Sequence, residues 1–117
     1  VTAGTSDGGA GGTGYDLATF RGGSSLIVAF GGGGAGSASI ALNGDGSSLY
    51  SQPANTGGGA RGYPSGITAS GGSGRVIIRY PSSTQKATGG TVTTVSVGST
   101  TYTVHDFTAG GTFTVNA

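Results

Sequence analysis

Glycine is concentrated in one part of this chain, since 23 of its 28 glycines lie before residue 83. Runs such as residues 31–34 and 57–59 carry no side-chain chemistry, and glycine loses more conformational freedom on folding than any other residue. Residues 83–117 are instead rich in Thr and Val, which favour strands. The contrast predicts a glycine-rich β module with display loops over residues 1–82 and a β-meander over residues 83–117, packed as one unit.

The rest of the composition favours an all-β fold. The 117 residues include no glutamate, one lysine and four leucines, so strong helix formers are scarce and we expect essentially no α-helix. We predict a small β-sandwich-like module with long glycine-rich loops and a C-terminal three-stranded antiparallel meander. The glycine runs allow polyglycine-II-like helices that pack backbone against backbone, and flexible loops are the alternative interpretation of the same runs.

Charge and residue usage argue against several classes of protein. Five basic and four acidic residues leave a net charge of +1, which is far from the basic surface of a nucleic-acid-binding protein. No run of 18 apolar residues is present, so we expect no membrane insertion. The absence of cysteine excludes disulfides and thiolate chemistry. The absence of methionine, position 1 included, predicts a cleaved product or part of a longer protein.

No sequence pattern indicates catalysis or a cofactor. The single histidine, His105, precedes Asp106, but adjacent strand residues point to opposite faces, so we interpret His105 as a hydrogen-bonded sheet residue. Residues 43–47 resemble the start of a calcium loop, but Asp45 is their only carboxylate and a plain turn is favoured. The glycine runs lack the lysine of a phosphate-binding loop. We therefore predict that the chain is not an enzyme and uses no cofactor or metal.

Several segments of the first part have strand or loop patterns. Residues 26–30 form a continuous apolar run between glycines, which predicts a core strand. Residues 37–51 predict a hairpin around an Asn-Gly-Asp-Gly turn. Residues 75–80 alternate as a strand that Pro81 ends, with the two arginines expected at a wet face or a seam between subunits. Residues 53–74 predict a long loop, which we interpret as a display region.

The predicted meander has strands at residues 91–97, 100–108 and 112–116. A two-residue turn with glycine leading, at residues 98–99, joins the first pair, and a three-residue turn with a left-handed glycine, at residues 109–111, joins the second. These turns predict three cross-strand pairs: Val95 with Tyr102, Phe107 with Phe113, and His105 with Val115.

Aromatic and polar residues in the glycine-rich loops are the candidate ligand contacts. A tyrosine ring can stack on a sugar, while Asp, Asn and Arg can hydrogen-bond its hydroxyl groups. Ordinary packing within the loops is the other interpretation. The candidate residues are Tyr50, Arg61, Tyr63, Asp45 and Asn55.

Three stretches carry a resemblance to a known family. They are Gly-Gly-Ser-Gly-Arg-Val-Ile-Ile-Arg-Tyr-Pro at residues 71–81, Ala-Thr-Gly-Gly-Thr-Val-Thr-Thr at residues 87–94, and residues 102–115, which contain His-Asp-Phe-Thr and Gly-Thr-Phe-Thr-Val. The chain resembles the glycine-rich domains of bacteriophage tail-fibre and virion appendage proteins over roughly residues 22–117. The resemblance implies that these motifs are architectural, that the variable glycine-rich loops take part in receptor recognition in some phage adhesins, and that the chain is located in a virion or outside the cell.

The function that we predict is a self-assembling structural component of a phage tail fibre or virion surface appendage, with host attachment through its loops as a further role. Its expected partners are copies of itself, with a trimer expected first, other virion proteins and, as a candidate, a host-surface glycan. One alternative is a carbohydrate-binding adhesin module that uses Tyr50, Arg61 and Tyr63. The other is a subunit of an extracellular filament that assembles through the strand formed by Thr112, Phe113, Thr114 and Val115.

Overall fold

The computed structural model describes residues 9–34, 42–62 and 68–116. Within these ranges the chain forms short antiparallel strands and one four-residue helix, so the predicted all-β class and the near absence of helix are confirmed. The helix is far too short to cross a membrane, and the described residues contain none that is long and apolar enough. The elements are β1 (Tyr15–Asp16), α1 (Ala18–Arg21), β2 (Ile27–Val28), β3 (Val76–Tyr80), β4 (Ala87–Thr88), β5 (Thr91–Val97), β6 (Thr100–Phe107) and β7 (Thr114–Val115).

The chain divides into two compact units that are not each continuous in sequence. The glycine unit comprises Val1–Asp16 and Ile27–Gly74, and the sheet unit comprises Leu17–Leu26 and Arg75–Ala117. This division differs from the boundary predicted at residue 82. The reason is that β3 pairs with β6 along its whole length, from Val76↔Phe107 to Tyr80↔Thr103, and so belongs with the C-terminal strands.

The glycine unit is held together by backbone hydrogen bonds between segments that are mostly not strands. Gly31 donates its N–H to the Gly12 carbonyl at 2.8 Å, and its own carbonyl accepts from Gly44 at 2.9 Å. A Cβ atom on Gly11 would collide with the Gly31 carbonyl, and one on Gly44 would collide with the Gly12 carbonyl. Only glycine permits backbones to approach this closely. Close approach of three segments, rather than turn geometry alone, therefore explains part of the glycine content.

The predicted core strand at residues 26–30 is only partly present. Its residues Ile27 and Val28 pair with β1 and form β2, while Phe30 is buried beneath Gly58 without being in a strand. Ala29 has a φ of 54°, a left-handed conformation that a β-strand cannot contain. The strand therefore ends one residue before Ala29.

The predicted hairpin at residues 37–51 contains the expected turn but lacks its second strand. Gly46 donates its N–H to the Asn43 carbonyl at 2.9 Å and so closes the four-residue turn, and its φ of 82° favours glycine at this last position. The first predicted strand lies almost entirely outside the described residues. Residues 48–50 do not form a strand because side chains occupy their carbonyl groups: Arg61 binds Ser48, and Asn43 and Gln52 bind Leu49.

The sheet unit contains a three-stranded antiparallel sheet with the order β3-β6-β5. The predicted strand at residues 91–97 is confirmed as β5, and the predicted pair Val95↔Tyr102 is confirmed. Gly98 and Ser99 form the turn between β5 and β6, and Gly98 has a φ of 62°, which fits the predicted two-residue turn with glycine leading.

The predicted partner of the third strand of the meander is wrong. β7 pairs with β4, in the register Ala87↔Val115 and Thr88↔Thr114, and β6 pairs with β3 instead. The predicted pairs Phe107–Phe113 and His105–Val115 are therefore wrong, and so is the left-handed glycine at residues 109–111, because neither Gly110 nor Gly111 has a positive φ.

Both faces of the sheet are covered. Val104 and His105 are adjacent on β6, point to opposite faces and are both 0% exposed. On the His105 face lies the ribbon formed by β4 and β7, with Ala87 buried and the Phe113 ring edge-on to the imidazole at 5.0 Å. On the Val104 face lies the segment that contains α1, whose C-terminal Gly22 lies against Val95. The core of this unit is therefore centred on β6.

Candidate functional site

The loop of residues 42–50 in the glycine unit contains two of the five candidate ligand contacts, Asp45 and Tyr50, and we call it the display loop. Its shape depends on Asn43, which is buried. The Asn43 amide oxygen accepts the Gly33 N–H at 3.0 Å, and its amide nitrogen donates to the Ser47 hydroxyl and the Leu49 carbonyl, both at 2.9 Å. One buried side chain thus fixes both ends of the turn and ties it to the glycine run of residues 31–34.

Arg61 supports the end of the display loop. It is only 9% exposed, its Nη1 donates to the Ser48 carbonyl, and its guanidinium lies 5.5 Å from the centre of the Tyr50 ring. Its backbone N–H also donates to the Tyr50 carbonyl at 3.0 Å. The structure therefore brings the predicted pair Arg61 and Tyr50 together. In this position the guanidinium stabilises the end of the loop through a hydrogen bond and a cation–π contact with the half-buried Tyr50 ring.

The other candidate residues differ in their placement. Asp45 lies in the display loop, where its carboxylate accepts the Ser47 N–H at 2.9 Å, an interaction that stabilises turns. Asn55 lies outside the display loop, has a φ of 65°, and is tied to Ser73 through its backbone N–H at 2.9 Å. Tyr63 lies outside the described residues.

Two apolar residues of the display loop were not predicted as surface contacts. Leu42 and Leu49 are each about half exposed, at 51% and 50%. The hairpin predicted over residues 37–51 placed Leu42 in a strand, so its exposure in a loop was not predicted. Gln52 was also missed: it is buried and donates to the Leu49 carbonyl at 2.8 Å. The display loop therefore presents leucines on a framework of buried amides.

His105 in the sheet unit uses both ring nitrogens in hydrogen bonds. Nδ1 lies 2.7 Å from the Gly89 carbonyl, and Nε2 lies 3.1 Å from the Tyr80 hydroxyl. Since a carbonyl only accepts, Nδ1 carries the proton and Nε2 accepts from Tyr80. The Tyr80 hydroxyl in turn accepts the Lys86 N–H at 2.8 Å. The prediction that His105 is a hydrogen-bonded sheet residue is confirmed.

The two arginines of the β3 region pack against side chains of the sheet unit, so the predicted wet face is wrong and the predicted seam between subunits stays a prediction. The Arg79 guanidinium is stacked between the rings of Phe20 and Tyr102, 4.2 Å from each centre. Arg75 forms a bidentate pair with Asp106, at 2.7 and 3.0 Å, and both side chains are less than one fifth exposed. Arg79 joins the sheet to Phe20 of α1, whereas Arg75 joins the residue before β3 to β6. Sequence spacing did not indicate either partner.

Comparison with known proteins found no matching family, no matching curated protein and no matching solved structure. Among the described residues no three side chains of His, Cys, Asp or Glu are grouped so that they could hold a metal ion.

Proposed function

We propose that this chain is a structural module of a phage tail fibre or a similar virion appendage, and that it associates with copies of itself. The observation that carries self-association is the pair of outer edges of the three-stranded sheet. In the order β3-β6-β5, each outer strand has a partner on one side only, and no further backbone pairing of β3 or β5 occurs among the described residues. Such edges are templates for another strand.

These two edges lack the features that usually prevent association. Charged side chains, lysine above all, commonly protect an outer strand. β5 contains no charged residue, and Arg79, the one charge within β3, is stacked between two rings. Val76 on β3 is 59% exposed. A second strand could therefore add to either edge without moving a charge.

The glycine unit supports a role in rigid display. Its segments pack backbone to backbone, and the display loop is held by buried Asn43, Gln52 and Arg61. We propose that the glycine segments form a polyglycine-II-like arrangement and that the sheet unit, with its β4–β7 ribbon, is β-sandwich-like. The assignment to a virion appendage rests on the resemblance of residues 71–81, 87–94 and 102–115 to the glycine-rich domains of that family.

The native mass of the purified chain tests self-association. We expect a closed oligomer, with a trimer as the leading expectation. Open polymers would instead favour the filament alternative, in which copies associate head to tail. A monomer at all concentrations would overturn the proposal.

A pair of matched variants tests the role of the edge. Val76→Lys adds a charge to an exposed position of β3 and should lower the oligomer mass. Ser99→Lys adds the same charge to the exposed β5–β6 turn and should leave the mass unchanged. Circular dichroism of both variants checks that the fold is retained. If Val76→Lys keeps the parent mass, the β3 edge is not the contact.

A further inference from the structure

The sheet unit contains an open cleft next to its hydrogen-bonded side chains. It lies on the face of the sheet that α1 covers and has a volume of about 360 Å³, within the range of small-ligand sites. All the residues that line it belong to the sheet unit. They are Arg21, Gly22, Gly23, Thr91, Thr93, Thr94 and Asp106.

Arg21 has hydrogen-bonding capacity that the described residues leave unused. A guanidinium has five N–H donors. Among the described residues, the Arg21 side chain makes one hydrogen bond, from Nη2 to the Ser24 carbonyl at 3.5 Å, the long limit for such a bond, and its buried Nε has no partner. A buried donor without an acceptor costs free energy. Arg21 also forms no ion pair with the described residues. Nη1 has no hydrogen-bond partner among the described residues and is not buried, so the terminal nitrogens of Arg21 can receive an acceptor supplied from outside.

The other polar groups of the cleft determine which acceptor fits. Asp106 receives two hydrogen bonds from Arg75, which compensates its charge, so Arg21 leaves the cleft with one net positive charge. The register Thr91↔Asp106 places the Thr91 side chain on the same face as the carboxylate, and Thr93 follows two residues later. Hydroxyl and carboxylate oxygens in this arrangement can bind the hydroxyl groups of a ligand.

Gly22 and Gly23 form the backbone wall of the cleft. Their φ angles of 81° and 87° are left-handed, so both positions favour glycine. A side chain at Gly22 would press on Val95, whereas the space beside Gly23 is open apart from the Arg21 guanidinium at 4.0 Å. A ligand could therefore approach the main chain next to the cation.

We propose that this cleft binds a carboxylated sugar ring, the chemistry of a uronic acid. The planar guanidinium of Arg21 matches a carboxylate, which it can bind through two parallel N–H donors. The hydroxyls of Thr91 and Thr93, together with Asp106, bind the ring hydroxyls. The one net positive charge of the cleft matches the single charge of a carboxylate, whereas a doubly charged phosphate would keep one negative charge uncompensated. The site lies within one copy of the chain and does not depend on the proposed self-association.

Titration of the full chain with three small compounds, followed by amide NMR shifts, tests the proposal. Glucuronate should give saturable shifts at Gly22, Gly23 and Thr91–Thr94, while glucose, which lacks the carboxylate, and acetate, which lacks the ring, should bind at least about tenfold more weakly. Absence of shifts with glucuronate overturns the proposal. Equal binding of glucose overturns the role of the carboxylate, and equal binding of acetate shows adventitious anion binding only and overturns it too.

Variants identify the residues that bind. Arg21→Gln should weaken glucuronate binding at least about tenfold, because it removes the cation and most of its donors. Lys86→Gln removes an exposed cation outside the cleft and should leave binding unchanged. If Arg21→Gln fails to fold, Thr93→Val provides the second test, since it removes one hydroxyl with little change of shape and should also weaken binding. Unchanged binding in the folded variant overturns the assignment.

Discussion

At the scale of single residues, the buried polar side chains determine the local structure of this protein. His105 and Asn43 each bind groups from two separate segments, and each is nearly or fully buried. The sequence predicted the hydrogen-bonded role of His105 from its strand position. It could not predict its partners, because Gly89 and Tyr80 come close to it only when the ribbon and β3 are both in place.

Replacement of His105 by Ala should destabilise the protein by about 2–4 kcal/mol. The change leaves the Gly89 carbonyl and the Tyr80 hydroxyl without their partner and opens a cavity beneath Phe113. Thermal and urea unfolding followed by circular dichroism measure the loss. Thr88→Ala, at an exposed position of β4, is the control and should change the stability by less than about 0.5 kcal/mol. Similar losses in both variants would contradict the role given to His105.

Asn43 and Asp45 provide a second test within one turn. Asn43→Ala removes three hydrogen bonds at a buried position and should cost about 2 kcal/mol or more. Asp45→Ala removes one hydrogen bond at a part-buried position and should cost about 1 kcal/mol or less. The same unfolding measurements compare the two. The sequence analysis selected Asp45, and not Asn43, as a candidate residue. Equal costs of the two substitutions would contradict the conclusion that the Asn43 side chain organises the display loop.

At the scale of elements, local patterns predicted strands better than their partners. The alternation of residues 75–80, the Thr/Val run of residues 91–97 and the Gly98–Ser99 turn each depend on neighbouring residues, and all three are confirmed. The predicted partner of β7 was wrong. Short loops favour pairing of consecutive strands, but β3 occupies the side of β6 that the prediction gave to β7, and β7 pairs with β4. Pairing between distant segments leaves no local signal in a single sequence.

Glycine substitutions distinguish close packing from flexibility in the glycine unit. Gly44→Ala places a Cβ against the Gly12 carbonyl and should destabilise the protein by about 2–3 kcal/mol. Gly12→Ala, in the segment that faces it, meets no atom within 4 Å and should be neutral or slightly stabilising, because it restricts the unfolded chain. Thermal unfolding of the two variants measures the difference. Equal tolerance of both changes would mean that these segments are not packed backbone to backbone.

At the scale of the whole molecule, the order of segments in the chain does not follow the compact units. Residues 17–26 leave the glycine unit between β1 and β2 and cover one face of the sheet, and β3 follows the glycine unit in sequence but pairs with β6. The composition of the chain changes near residue 83, but the compact units do not divide there. Composition could not reveal that the sheet unit draws residues from two places upstream of that point.

This organisation predicts that residues 83–117 do not fold alone. The fragment keeps β5 and β6 but lacks β3, which pairs with β6 at five positions. It also lacks α1, including Phe20, which covers the Val104 face of the sheet. Val104 would become exposed, and β6 would become an edge strand of a two-stranded hairpin, which is marginally stable in water. Amide NMR spectra should show narrow dispersion for this fragment and wide dispersion for the full chain. A second fragment that joins residues 75–117 through a flexible linker to residues 17–26 restores both missing parts and should recover the dispersed signals of β6. A folded 83–117 fragment would show instead that the boundary predicted from composition is also the boundary of folding.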